Sequence, residues 1–220
     1  MLSSFKSKLP TLLILAGAVL LAYVAVQYAT MFYAQKQLAR QWQAQQQKVS
    51  SISPPPSTLA AGDSLTRLSI PKLRFSAMVV EGSERRQLLL GPGHMRSTAF
   101  PGAPGNSVIT GHRDTFFRHI VDLDKGDRIV VERGGGSYTY EVAYKKVVRP
   151  TDLWVTEATS DTRLTLLTCY PIHYIGPAPE RLVVVAKLVS SSGAAPAKVA
   201  TASAAVHDGS QATAGGSRKQ

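Results

Sequence analysis

Residues 127–144 read Asp-Arg-Ile-Val-Val-Glu-Arg-Gly-Gly-Gly-Ser-Tyr-Thr-Tyr-Glu-Val-Ala-Tyr. Two runs rich in Val, Ile, Thr and Tyr flank a glycine stretch, and tyrosines alternate along the second. Branched and aromatic side chains suit a pleated, half-buried surface, and glycine admits the backbone of a tight turn, so the stretch predicts a β-hairpin. Working outward, similar short runs occupy 67–73, 77–81, 106–110, 163–168 and 181–189, punctuated by Gly, Pro, Asn and Asp. Short helical turns are expected at 85–90, 116–121 and 152–157. Seven or eight short strands within residues 64–189 predict an all-β domain, a small closed or nearly closed β-barrel. Strand pairing is not readable from the spacing.

The flanks are of another kind. No residue between Lys8 and Lys36 is charged, and 12–26 is unbroken apolar sequence. About 20 such residues cross a bilayer core as a helix. A single transmembrane helix is expected over 9–30. Residues 1–8, with Lys6 and Lys8, should be cytoplasmic and the rest extracytoplasmic. A cleaved signal peptide is the competing reading. The apolar stretch is long for one and Tyr and Phe crowd its exit, which favours an uncleaved anchor. Residues 31–63 read as a Gln-rich helical stalk followed by an extended spacer with three consecutive prolines, Pro54 to Pro56. Residues 190–220, rich in Ala, Ser and Gly, are expected to be disordered.

Composition narrows the function. With 44% hydrophobic and 18% charged residues, the chain is not disordered throughout. Its net charge of +11 is spread out, without a basic run interleaved with aromatics. That argues against nucleic acid and suits an anionic envelope surface. One cysteine excludes an internal disulfide and any Cys-rich metal site. No cofactor or metal constellation stands out. Asp122, Asp124 and Asp127 read as a solvated turn, lacking the pattern of a calcium loop.

Three residues sit where strands end. Cys169 closes the run Arg163-Leu-Thr-Leu-Leu-Thr-Cys and is followed by Tyr170-Pro171. A lone thiol is a buried small hydrophobe or a nucleophile, and a strand end favours presentation at a barrel rim. His112 follows Gly111 just past the run 106–110, where a solvent-accessible imidazole could move protons, although a lone histidine is more often a surface group. His94 and His173 are its rivals. Arg181 opens the last strand, twelve residues after Cys169. A surface ion pair with Glu180 is its plain alternative.

Together the segments carry a resemblance. Thr165-Leu-Leu-Thr-Cys169 resembles the Thr-Leu-x-Thr-Cys signature of the sortase family of cysteine transpeptidases. Gly111-His112-Arg113-Asp114 resembles its histidine segment, and Arg181 falls where the family places its arginine. The likeness covers residues 64–189. Thr-Cys-Tyr-Pro followed by Tyr-Ile-Gly-Pro-Ala-Pro-Glu-Arg is most like class D.

The resemblance implies that Cys169 attacks a sorting motif similar to Leu-Pro-x-Thr-Gly near the C-terminus of an exported protein. The resulting thioester would pass to an amine acceptor, from a cell-wall precursor or another protein. His112 would move the protons and Arg181 would stabilise the oxyanion. Thr168, Tyr170 and Trp154 are candidates for binding substrate. Two alternatives stand beside this. An L,D-transpeptidase would place histidine shortly before a Ser-x-Gly-Cys segment, which is absent. A non-catalytic envelope module would be marked by loss of Cys169, His112 or Arg181, and all three are present.

Overall fold

Gly134 and Gly135 both adopt positive φ, 57° and 78°, as a two-residue type I′ turn requires. They join strand β5 (Arg128–Arg133) to strand β6 (Gly136–Val148), with Arg133 opposite Gly136. Along β6, Tyr138, Tyr140 and Val142 enter the core and the residues between them are less covered. The computed structural model describes the backbone of residues 2–49 and 66–193, with side chains for 8–44 and 66–193. The proline spacer and the tail beyond 193 lie outside the described residues.

The remaining elements are helix α1 (Leu2–Val49), β1 (Thr66–Ile70), β2 (Phe75–Glu81), a one-turn helix α2 (Arg85–Leu88), β3 (Gly93–His94), β4 (Gly105–Thr110), β7 (Thr162–Tyr170) and β8 (Glu180–Ser192). The strands close a barrel in the order β1-β2-β3-β4-β7-β8-β6-β5, with β5 pairing back to β1. Closure leaves no long open edge for another chain to pair with. Leu68, Ile109, Phe117, Val131, Leu166 and Val184 fill its interior.

Three details differ from the reading of the sequence. The expected strand 67–73 stops at Ile70, because Pro71 lacks the N–H a ladder needs, and a 3-10 turn follows at Pro71–Leu73. The two-residue β3 is too short to leave a periodic signal. Strand β8 continues to Ser192, where it pairs with Ser137, so the first residues expected to be disordered belong to the sheet.

Two buried polar side chains inside the barrel have clear partners. The Gly102 N–H donates to the Tyr140 hydroxyl at 2.7 Å. Burial pushes the phenol up to about 12, against the lowering effect of that bond. His94, 3% exposed, places Nδ1 3.0 Å from the Glu81 carboxylate and Nε2 3.0 Å from the Ala99 carbonyl, with its ring stacked on Phe100. On the surface, Lys72 bridges Asp124 and Asp127 at 2.9 and 2.7 Å. Among the described residues, no group of three or more His, Cys, Asp or Glu side chains could hold a metal ion.

Helix α1 changes character along its length. From Lys8 to Thr30 every position is exposed, although the segment is strongly apolar. From Met31 onward the shielded positions are Met31, Ala34, Gln35, Leu38, Ala39 and Trp42. That spacing of three and four is one helical face, and it lies on the barrel. The Gln35 amide donates to the carbonyls of Met78 and Leu90, at 3.1 and 2.7 Å, and accepts from the Met78 N–H at 2.8 Å. Trp42 is 8% exposed, beneath the Arg67 guanidinium. The Gln-rich stretch is helical, as expected, and over residues 31–44 one of its faces docks on the barrel.

Candidate active site

Strand alternation decides where the cysteine points. Leu164 and Leu166 of β7 enter the core and Thr168 follows them in parity, so Cys169 faces the other way, partly exposed. On β8, Leu182, Val184 and Ala186 are inward and Arg181 is outward by the same rule. Cys169 and Arg181 are direct partners across the antiparallel ladder. Such partners share a face with Cβ atoms about 4.5–5.5 Å apart.

His112 approaches from the opposite side. Strand β4 runs parallel to β7 with Thr110 beside Leu167, and the Gly111 N–H donates to the Leu167 carbonyl at 3.1 Å. Two residues further along the chain in each case stand His112, just past the end of β4, and Cys169 on β7. Adjacent strands lie about 4.8 Å apart, so the ends of β4, β7 and β8 stand side by side, and the chain positions His112, just past β4, Cys169 on β7 and Arg181 on β8 follow one another in a row along them.

The supports of this row are visible. The Thr168 hydroxyl, 2% exposed, donates to the Gly111 carbonyl at 2.7 Å. The Phe117 N–H donates to the His112 carbonyl at 3.0 Å. A Cβ on Gly111 would stand 2.8 Å from the Phe117 ring, so a larger residue would disturb this packing. Nη1 of Arg181 donates to the carbonyls of Glu180 and Ala178 at 2.8 and 3.2 Å. It therefore meets backbone rather than the Glu180 carboxylate, and among the described residues no other acceptor reaches its guanidinium. Those two bonds fix the fork and leave N–H donors for a ligand.

One residue has a larger part than its sequence suggested. Arg113 donates through Nη1 to the Pro171 carbonyl at 3.0 Å, and through Nη2 to those of Tyr174 and Gly176 at 2.9 and 2.8 Å. Its guanidinium also lies over the Tyr174 ring. The histidine segment is thereby tied to the loop that leaves Cys169. Its adjacency to His112 was the only sequence signal, since the acceptors are backbone atoms of a distant loop.

The other expected site residues separate. Tyr170 packs against the core and lines a groove of about 350 Å³ with Arg118, His119, Asp122 and His173. Thr168 is buried beneath the row and its hydroxyl is committed to Gly111. Trp154 lies on the 3-10 turn Leu153–Thr156, over the Lys146 ammonium on the outside of β6. Of the rival histidines, His94 is locked in its buried pair, and His173 lines the groove without joining the row.

Comparison with known proteins gives a consistent answer. The Sortase domain family model matches residues 68–189, more than half of the chain. Sortase D of Bacillus subtilis is 37% identical over 124 residues, covering 56% of this chain and 63% of that protein. This chain thus spans less than two thirds of that curated relative. The solved catalytic domain of B. anthracis SrtD is 34% identical, with a TM-score of 0.56, over 66% of this chain and 99% of that one. A Clostridium perfringens Sortase D5 transpeptidase is 25% identical, with a TM-score of 0.61, over 74% and 99%. The eight-stranded closed barrel and the matched segment lead to one conclusion: the chain belongs to the sortase family.

Proposed function

We infer that this chain is a membrane-anchored cysteine transpeptidase acting on exported proteins with a C-terminal sorting motif similar to Leu-Pro-x-Thr-Gly. The observation that carries the reading is the row His112, Cys169, Arg181 across three adjacent strand ends. The thiolate of Cys169 is the form that reacts. Attack on the scissile carbonyl forms a C–S bond and pushes an electron pair onto oxygen. Arg181 meets that oxyanion with N–H donors that stay charged throughout. Collapse expels the leaving amine, which takes its proton from His112. An acceptor amine then attacks the thioester, loses its proton to His112 and releases the thiolate. Thr168 and Arg113 position this machinery through the Gly111 carbonyl and the loop after Cys169.

The exposed apolar helix supports a single-pass anchor, with the segment holding Lys6 and Lys8 cytoplasmic and the barrel outside. The test uses the full chain in lipid nanodiscs with Leu-Pro-x-Thr-Gly and Leu-Pro-x-Thr-Ala peptides and a simple amine. A new amide is expected in the parent and is lost in Cys169→Ala, His112→Ala and Arg181→Ala. Product formation that survives Cys169→Ala would sink the assignment.

A further inference from the structure

A second pocket, of about 300 Å³, is lined by His112 but not by Cys169 or Arg181. One wall is helix α1, through Tyr28 and Met31; the other is the chain after β2, through Arg86, Leu89 and Leu90. Its helix wall falls where α1 passes from exposure on all sides to docking on the barrel. On the anchor reading, that is the surface of the bilayer. Gln35 fixes the helix against the barrel one turn further on. Helix α1 therefore lines a pocket that reaches His112.

We propose that this pocket receives the acceptor, a primary amine at the end of an unbranched alkyl arm, and that the anchor helix positions it for the second half of the reaction. The proposal rests on the transpeptidase reading above. The row of three groups gives the direction. The acyl donor occupies the side where Cys169 and Arg181 face one another, so the nucleophile that surrenders a proton to His112 arrives from the free flank of the ring. The lining gives the chemistry. Leucines, Met31 and Tyr28 suit a methylene chain, and His112 stands where the amine must end. In the step itself the amine nitrogen forms a bond to the thioester carbon and the C–S bond breaks. The sulfur leaves as thiolate, and the amine proton passes to His112.

The test reads how the thioester divides between aminolysis and hydrolysis, a ratio that does not depend on how fast it forms. The full chain in nanodiscs is given a Leu-Pro-x-Thr-Gly peptide with Nα-acetyl-lysine amide or triglycine. Met31→Trp and, on the facing wall, Leu89→Trp fill the pocket, with circular dichroism confirming the fold of each. The parent should prefer the lysine amine. In either variant its ratio of transfer to hydrolysis should fall at least tenfold, with triglycine affected less. An unchanged ratio in both folded variants would overturn the proposal, leaving a lipid-filled or empty space. A parent that forms no thioester would overturn the transpeptidase reading itself, and the pocket's assignment with it.

Discussion

Arg181 stands directly opposite Cys169 on neighbouring antiparallel strands, with its guanidinium pinned by the carbonyls of Ala178 and Glu180. Pinning matters because an oxyanion donor helps most when it is already in place. Removing one such donor costs about 10²–10³ in kcat, and Arg181→Ala should lose that much. Arg181→Lys should recover little, since an ammonium cannot hold two backbone carbonyls and a substrate oxygen in one plane. Single-turnover acylation rates check both variants.

Arg113 makes three hydrogen bonds to the loop after Cys169 from one guanidinium. Arg113→Ala should loosen that loop without unfolding the barrel. The expected outcome is faster amide exchange across 171–176 and a drop of at least tenfold in kcat/KM, because misplacement of reacting groups is costly. Unchanged exchange there would contradict the tie.

Gln35 joins α1 to the barrel through both ends of its amide. Gln35→Leu leaves the buried amide and carbonyl partners of Met78 unsatisfied, at a cost of about 1–3 kcal/mol. A Cβ at Gly91 would stand 2.6 Å from the Met78 carbonyl oxygen, so Gly91→Ala should undo the same contact. Protease cleavage within 31–49 should accelerate in both variants.

Tyr140 gives a pH signature with a definite sign. Its folded phenol ionises at about 12 and an unfolded one near 10.0. Between those values the folded state holds the extra proton, so the stabilisation is complete below pH 10 and is lost as pH rises toward 12. Two units correspond to about 3 kcal/mol. Tyr140→Phe should destabilise at neutral pH by stranding the Gly102 N–H, and its deficit against the parent should narrow between pH 10 and 12. Denaturant titrations of both proteins across that range measure it.

Much of the barrel was legible because its strands carry local signals. Alternation at Tyr138, Tyr140 and Val142, with the glycines between β5 and β6, specified a hairpin without reference to anything distant. The three residues proposed for the chemistry drew notice for a related reason: each stands at or just beyond the end of a readable strand, and the motif around Cys169 has few other meanings. Pairing was not legible. That β4 lies parallel to β7, with Thr110 beside Leu167 just ahead of His112 and Cys169, depends on closure of the whole sheet. The role of Arg113 was hidden because backbone carbonyls leave no mark in a sequence. The docking of α1 did leave one. Met31, Leu38 and Trp42 repeat at helical spacing with Ala34 and Ala39 among the glutamines, a one-sided stripe that glutamine content masks. Thr168 and Trp154 were read as substrate contacts from their neighbourhood in the chain. Alternation sends Thr168 inward, and the crossover from β6 to β7 carries Trp154 onto the outer face of the sheet.

The most direct measurement is intact-mass and peptide-map spectrometry of the full chain quenched in acid shortly after mixing with a Leu-Pro-x-Thr-Gly peptide, without added amine. The account predicts an adduct with the mass of the peptide cleaved after threonine, attached to Cys169 as a hydroxylamine-labile thioester. It should be much reduced in Arg181→Ala and absent in Cys169→Ala. A folded parent that cleaves the peptide with no adduct on Cys169, or with the adduct on another residue, would contradict it.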